Sequence, residues 1–348
     1  MIRPSLAVLA LALPLHAQSV DHRTLSSPAA IYNIAGTIHV VRGTGSDITI
    51  DVARAGRDAD KLSIATGPIG DRETLRVIYP ADRIVFRRPN TESSHWRTEM
   101  EINDDGTWGG NHRWHGRRVT IVGSGDGLEA RAEVTVHMPP GARLAIYLGA
   151  GDASVSGTQG DILADVDEAS VSIDHTVGAL DLDTGSGDLI VRDAQGDMRL
   201  DAGSGDVTLS NIRGERLDVD AGSGDIKATS VTYPHARLDL GSGKMDLSGA
   251  TLGDVSLDAG SGDVDVAFVG PANRVRIDAG SGDVTLHIPK TFGADVDIDA
   301  GSGDVHSDFA LERHRDDDDS HYSGRIGFGG GTISIDGGSG SIALLKQP

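Results

Sequence analysis

The chain has no cysteine in its 348 residues. That excludes disulfide staples, thiolate metal sites, cysteine nucleophiles and a lipidated N-terminal cysteine. Aromatic residues are 4% of the composition, little for an enzyme lining a pocket or a protein that stacks nucleotides. Basic residues are short too. Against 52 Asp and Glu stand 31 Lys and Arg, a net charge of −21, which excludes a general affinity for nucleic-acid phosphates. No apolar run reaches the ~18 residues of a membrane span, and no window sustains a 3.6-residue apolar period. The 47 glycines follow no Gly-X-Y period, so a collagen-like chain is excluded, and Val, Ile and Leu alternate too regularly with polar residues for disorder.

Residues 1–17 read as a secretory signal peptide. Arg3 supplies the positive start, Leu6 to Leu15 the apolar run, and Leu15-His16-Ala17 a cleavage site before Gln18. The expectation is an exported protein without a membrane span, in the periplasm or at the cell surface. A cysteine-free chain is compatible with that compartment.

What the chain has in abundance is a repeat. Gly-Ser-Gly-Asp begins at Gly185, Gly203, Gly222, Gly260, Gly280 and Gly301, with variants at Gly241 and Gly338. The steps from Gly185 to Gly301, including Gly241, are 18, 19, 19, 19, 20 and 21 residues. Upstream, Gly149-Ala150-Gly151-Asp152 lies two steps before Gly185, with Glu168-Ala169-Ser170-Val171 between them. Each unit is a short alternating strand, a glycine turn and a second short strand, as in Leu217, Val219 and Ala221, then Ile226 and Ala228. Alternation with period two marks strands with one buried face. A unit this small buries that face only by stacking on its neighbours. The fold class expected is therefore all-β, a parallel β-solenoid (β-helix) of 18–21 residues per coil. Ten coils at ~4.8 Å spacing make a rod of about 48 Å. The turn glycines Gly185, Gly203, Gly222, Gly241, Gly260, Gly280 and Gly301 are expected to supply positive φ at structural corners.

The repeated Asp-Ala-Gly-Ser-Gly-Asp-Val strings resemble a bacterial envelope family, named "putative adhesin", with β-strand repeats and no known function. Ala35–Val40 and Val134–Gly141 resemble that family's lead-in strands. The likeness spans about residues 30–345, apart from 86–120 and the acidic loop near 316. It implies an exported β-solenoid without established enzymatic activity, and it transfers no catalytic residues.

Charge divides the chain. Residues 18–148 carry 16 acidic and 16 basic side chains, whereas 149–308 carry 30 and 10. A neutral N-terminal β cap, 18–148, thus precedes an acidic repeat, 149–345. In the cap, Gly36–Val41, Asp47–Val52, Lys61–Ala65 and Thr74–Tyr79 read as strands, and Arg131–His137 and Arg143–Tyr147 lead into the repeat. At the far end, Thr332–Ile335 and Ser341–Leu345 are expected to close the stack.

An insertion at 86–120 holds all three tryptophans, Trp96, Trp108 and Trp114, together with Arg113 and Arg117. Exposed Trp beside Arg would stack on sugar rings or bind an anionic polymer. The competing reading packs the rings against the cap and pairs the arginines with Glu92, Glu99 and Glu101. His112 and His115, with His95 nearby, make a His-x-x-His too sparse for a closed metal site. Asp316–Asp319, within the acidic loop 312–321, match no calcium-loop spacing.

Two further columns of aspartate flank the turns, Asp183 to Asp336 before them and Asp188 to Asp304 after. Their content resembles calcium-binding nonapeptide rolls, but the period is about 19 and Lys244 interrupts one column. Asx-type hydrogen bonds to turn amides account for them without a metal, so no cofactor is expected beyond diffuse cation stabilisation. Gly-x-Ser-x-Gly, His-Glu-x-x-His and a phosphate-cradling Gly-x-x-x-x-Gly-Lys are all missing. The function expected is a non-enzymatic envelope or surface scaffold whose partner is an envelope polysaccharide or another surface protein. The alternative is a carbohydrate-active β-helix enzyme, a polysaccharide lyase or glycoside hydrolase, which needs carboxylates converging in a groove.

Overall fold

The computed structural model describes residues 20–87, 96–109, 116–314 and 320–347. The protein is all-β with almost no helix. Among the described residues one 3₁₀ turn, Ala59–Lys61, is the whole helical content, and no helix is long and apolar enough to cross a membrane. Parallel strands dominate. Leu180–Thr184 pairs with Met198–Ala202, that strand with Leu217–Ala221, and the next partners are Ala236–Leu240, Val255–Ala259 and Val275–Ala279. The second strand of each unit forms a matching ladder through Val191, Leu209, Ala228, Leu247, Val266 and Leu286. Alternation decides which face turns inward: Leu217, Val219 and Ala221 are 1% exposed or less, while Arg216 and Asp220 face solvent.

Neither end follows chain order. Ala142–Ser156 pairs on one side with Gly160–Val177 and on the other with Ala29–Arg42. Ala29–Arg42 continues to Arg131–Met138, which is followed by antiparallel Ile48–Ala55 and Val20–Leu25. Ser63–Ile69 and Arg72–Ile78 form a hairpin beside Ala29–Arg42. The insertion contributes Arg97–Ile102 to a small sheet with Arg83–Val85 and Arg117–Val122. Buried Asn33 ties this region together: its amide donates to the Ala132 carbonyl at 3.0 Å, and the Tyr79 hydroxyl lies 2.8 Å from its Oδ1.

At the far end Gly331–Gly337 pairs with Arg274–Ala279 on one side and Ala294–Asp299 on the other. Ile342–Lys346 lies likewise between Val284–Ile288 and Val305–Ser307. The strands expected to close the stack are therefore its penultimate layer. The outermost layer is 294–307, covered by antiparallel His321–Ile326. Antiparallel strands at both ends blunt edges that would otherwise template pairing with another chain.

The turn glycines stand at the corners, but positive φ is not their reason. Of the seven, Gly301 alone has a left-handed φ, +52°. The others are required by the closeness of the next unit: a Cβ on Gly203 would lie 2.3 Å from the Gly185 carbonyl oxygen, and one on Gly280 2.2 Å from that of Gly260. At this corner the third-position Gly224 and Gly243 have φ of +123° and +120°, and left-handed backbone recurs at a different corner, on His175, Asp193, Asn211, Ser230 and Gly249, with φ from 50° to 68°. Four of these five are not glycine. His, Asp and Asn tolerate this conformation better than most side chains.

Candidate functional site

The aspartates before the turns form an unbroken row. Asp165, Asp183, Asp201, Asp220, Asp239, Asp258 and Asp278 pair in register, and Asp336 and Asp299 extend them. Partial burial and like-charged neighbours raise several of their pKa values. Burial, then Asp183 and Asp167, push Asp165 up to about 6. Burial first and neighbouring aspartates second raise Asp183, Asp220 and Asp258.

These shifts set a pH dependence. A carboxyl whose folded pKa lies above its unfolded value holds its proton better when folded. Its stabilising effect is complete below about pH 4 and is lost as pH rises through about 6. For Asp165, half-exposed, the loss is about 1–2 kcal/mol after allowance for solvent screening. Urea unfolding of Asp165→Asn is expected to show higher stability than the parent at pH 7.5 and a flatter decline between pH 4 and 7. A destabilised Asp165→Asn at pH 7.5 would contradict the row as a source of repulsion.

The aspartates after the turns are bonded across units, not within one turn. Asp188 Oδ1 accepts the Asp206 N–H at 3.2 Å, Asp206 the Asp225 N–H at 2.9 Å, and Asp225 the Lys244 N–H at 2.8 Å. Asp263 and Asp283 continue the chain to Ser341. Amides are the donors, as expected, but those of the next layer. Lys244 has no carboxylate to offer, and the Asp263 N–H turns to the Gly243 carbonyl. Lys244→Asp would therefore place a new charge between Asp225 and Asp263 without an unmet amide to bind it. At ~5 Å each new pair costs roughly 0.8 kcal/mol in water, so a lower melting temperature at low salt, recovered in NaCl, is expected. A salt-independent change would count against it.

The insertion packs more than it displays. Trp108 is 8% exposed and stands edge-on to Tyr32 and Tyr147, centroids 5.3 and 6.4 Å away, which stack on each other at 4.3 Å. Trp108 is thus a packing residue, not an exposed sugar platform. Trp96 is half-buried, edge-on to Phe86 at 6.3 Å. Arg117 pairs with Asp82 at 2.6 Å and donates to the Tyr79 carbonyl. Arg113 and Trp114, like His95, His112, His115 and Asp316–Asp319, lie outside the described residues. Trp108→Ala is expected to lose about 3 kcal/mol, the low end for truncating a buried Trp because its rim is wet. Trp96→Ala should lose visibly less in the same melts; equal losses would be inconsistent with their different burial.

Two concavities adjoin this region. A groove of about 520 Å³ crosses successive units, with Arg72 and Arg143 from the cap side and Arg199 and Arg216 from the repeat, interspersed with Asp71, Asp161, Asp181, Asp197 and Asp218. Among the described residues no carboxylate oxygen lies within 4.0 Å of the guanidinium of Arg143, Arg199 or Arg216, although the Arg216 backbone N–H donates to Asp197 Oδ1 at 3.1 Å. A second, shallow cleft of about 350 Å³ brings Glu99, Glu101, Asp165, Asp167 and Asp183 together beside Trp108. There Thr98 Oγ1 donates to Asp167 Oδ2 at 2.8 Å. Sequence reasoning missed this convergence, because Glu99 and Glu101 come from the insertion and meet the row only through the cap.

No curated protein matches the chain. A solved structure from Clostridium sporogenes ATCC 15579, described as a "putative cell adhesion protein", is similar at 12% identity and a TM-score of 0.20, over 95% of this chain and 100% of that one. The family model of the Toastrack DUF4097 family matches residues 168–345, just over half of the chain and nearly the whole acidic repeat. That match takes in the periodic strands and stacked glycines described above, and the chain belongs to the Toastrack DUF4097 family.

Proposed function

We propose that the chain is an exported, non-enzymatic β-solenoid of 18–21 residues per coil, a rigid acidic scaffold for interaction at the bacterial envelope, in the periplasm or at the cell surface. Residues 1–17 direct export and are removed before Gln18. The observation that carries this reading is the disposition of the carboxylates: one per unit, in long rows along the stack. Such a surface repeats a contact rather than concentrating chemistry at one point. The groove bearing Arg72, Arg143, Arg199 and Arg216 among Asp71, Asp161, Asp181, Asp197 and Asp218 is the seat this reading gives the partner, an envelope polysaccharide, because it runs across units and sets guanidinium donors beside carboxylate acceptors, the pair of groups that binds sugar hydroxyls.

Retention of the mature protein on purified envelope polysaccharide tests this. Binding without release of reducing ends is expected, and Arg143→Ala/Arg199→Ala/Arg216→Ala should lower retention severalfold with the melting curve unchanged. Retention equal to the parent would remove the groove from the reading, and an intact N-terminus found by mass spectrometry would remove export.

One observation favours a second reading, a carbohydrate-active enzyme. The cleft beneath the insertion gathers five carboxylates, and Asp165, held at about 6, is the kind of carboxyl that serves as a general acid. Sugar release lost in Asp165→Asn would establish that reading over the scaffold.

A further inference from the structure

The left-handed corner carries a cluster unrelated to either concavity. His175 and Asp193 occupy equivalent positions in successive units, 18 residues apart, with φ of 52° and 50°. His175 Nδ1 lies 2.8 Å from Asp174 Oδ2, and its Nε2 lies 3.7 Å from Asp193 Oδ2. Ligand atoms of all three residues fall within 4.8 Å of one another. We propose that Asp174, His175 and Asp193 form a surface site for a late first-row divalent cation of the zinc type.

The two sides of the imidazole differ in a way that suits a metal. On the Nδ1 side the distance is that of a hydrogen bond. A proton there fixes the tautomer and leaves the Nε2 lone pair facing Asp193, the arrangement in which a carboxylate orients a metal-binding histidine. On the Nε2 side 3.7 Å is too long for a hydrogen bond. It is close to the ~3.4 Å that separates two ligands of a tetrahedral ion bonded at about 2.1 Å. The other Asp193 oxygen accepts from Asn211 Nδ2, from the next unit of the same corner, which holds the carboxylate in place. His175 Nε2 and Asp193 are therefore the ligands, Asp174 is the positioning residue, and water completes the shell. An imidazole ligand selects zinc, nickel or copper over calcium and magnesium, which take oxygen. A site with two protein ligands, open to solvent, binds in the micromolar range or weaker.

The test is calorimetric titration of ZnCl₂ into the full mature chain in a non-chelating buffer at pH 7.5. One class of sites with a stoichiometry of one is expected, undisturbed by millimolar calcium. His175→Asn keeps a side chain that this corner already accommodates at Asn211. It and Asp193→Asn should each weaken binding at least tenfold, and Asp174→Asn to a smaller extent. Thermal melts in EDTA should match the parent, which separates loss of a ligand from loss of the fold. A parent-like titration in His175→Asn, which would put the zinc on His112 and His115 or along the aspartate rows, overturns the proposal. So does uptake by many weak, equivalent sites.

Discussion

Ending the chain after Gly330 is expected to strip protection from residues 294–307 and 321–326 while leaving the stack from 142 to 288 folded. The segment 331–346 is the middle layer of three: it pairs with 274–279 and 284–288 below, and with 294–299 and 305–307 above. Its Ile333, Ile335, Ile342 and Leu344 are at most 2% exposed. At about 1.5–3 kcal/mol for each buried aliphatic side chain, their removal outweighs anything the outer layer retains. That layer would keep His321–Ile326, itself paired with the short Leu311–Arg313, and so small a sheet without a layer beneath its apolar face is marginal in water. Deeper units are held by their own neighbours and lose only one, since stability in stacked repeats is a nearest-neighbour matter. Hydrogen exchange read by mass spectrometry resolves the two regions. If the units were stacked in chain order, the truncation would remove only the outermost layer and leave 294–307 protected. The same truncation uncovers the edge of 274–288, so a tendency to associate is expected alongside.

That layer exchange shows where the sequence stops being informative. Unit length and inward positions are legible, because alternation such as Val275, Ile277 and Ala279 has no other economical burial in so short a repeat. Layer order is not. Asp278, Asp299 and Asp336 lie at the ends of strands of the same pattern, so alternation alone does not say which of the three are neighbours. The left-handed corner was illegible for another reason. Glycine announces such a backbone, whereas His175, Asp193, Asn211 and Ser230 do not, and their kinship emerges only once the register aligns them. Trp108 was legible as an aromatic in an insertion, but its partners Tyr32 and Tyr147 come from strands distant in sequence. The chemistry around the cleft is a property of the cap's docking on the repeat, which no local motif records.

The glycines at the third position of the corner motif make the sharpest stability prediction. A Cβ on Gly205 would lie 2.0 Å from the Gly187 carbonyl oxygen and 2.5 Å from its carbon, both backbone atoms. No rotamer change relieves that contact. Nor does retreat toward the following unit, since Gly224 there already lies so close that its own Cβ would be 2.5 Å from the Gly205 oxygen. Gly205→Ala must therefore spread two layers and weaken the amide bonds between them, among them Asp206 N–H to Asp188 and Asp225 N–H to Asp206. Overpacking of this kind costs about 1–3 kcal/mol, and each weakened bond adds about 0.5–1.5 kcal/mol. A loss of about 4 kcal/mol is expected, a drop of roughly 8–16 °C in melting temperature for a domain of this class. Gly270 supplies the control: it has no left-handed φ and nothing within 4 Å of the added carbon. Gly270→Ala should change stability by less than about 0.5 kcal/mol. Equal behaviour of the two variants in thermal melts would mean that these glycines serve turn flexibility and not the approach of one layer to the next.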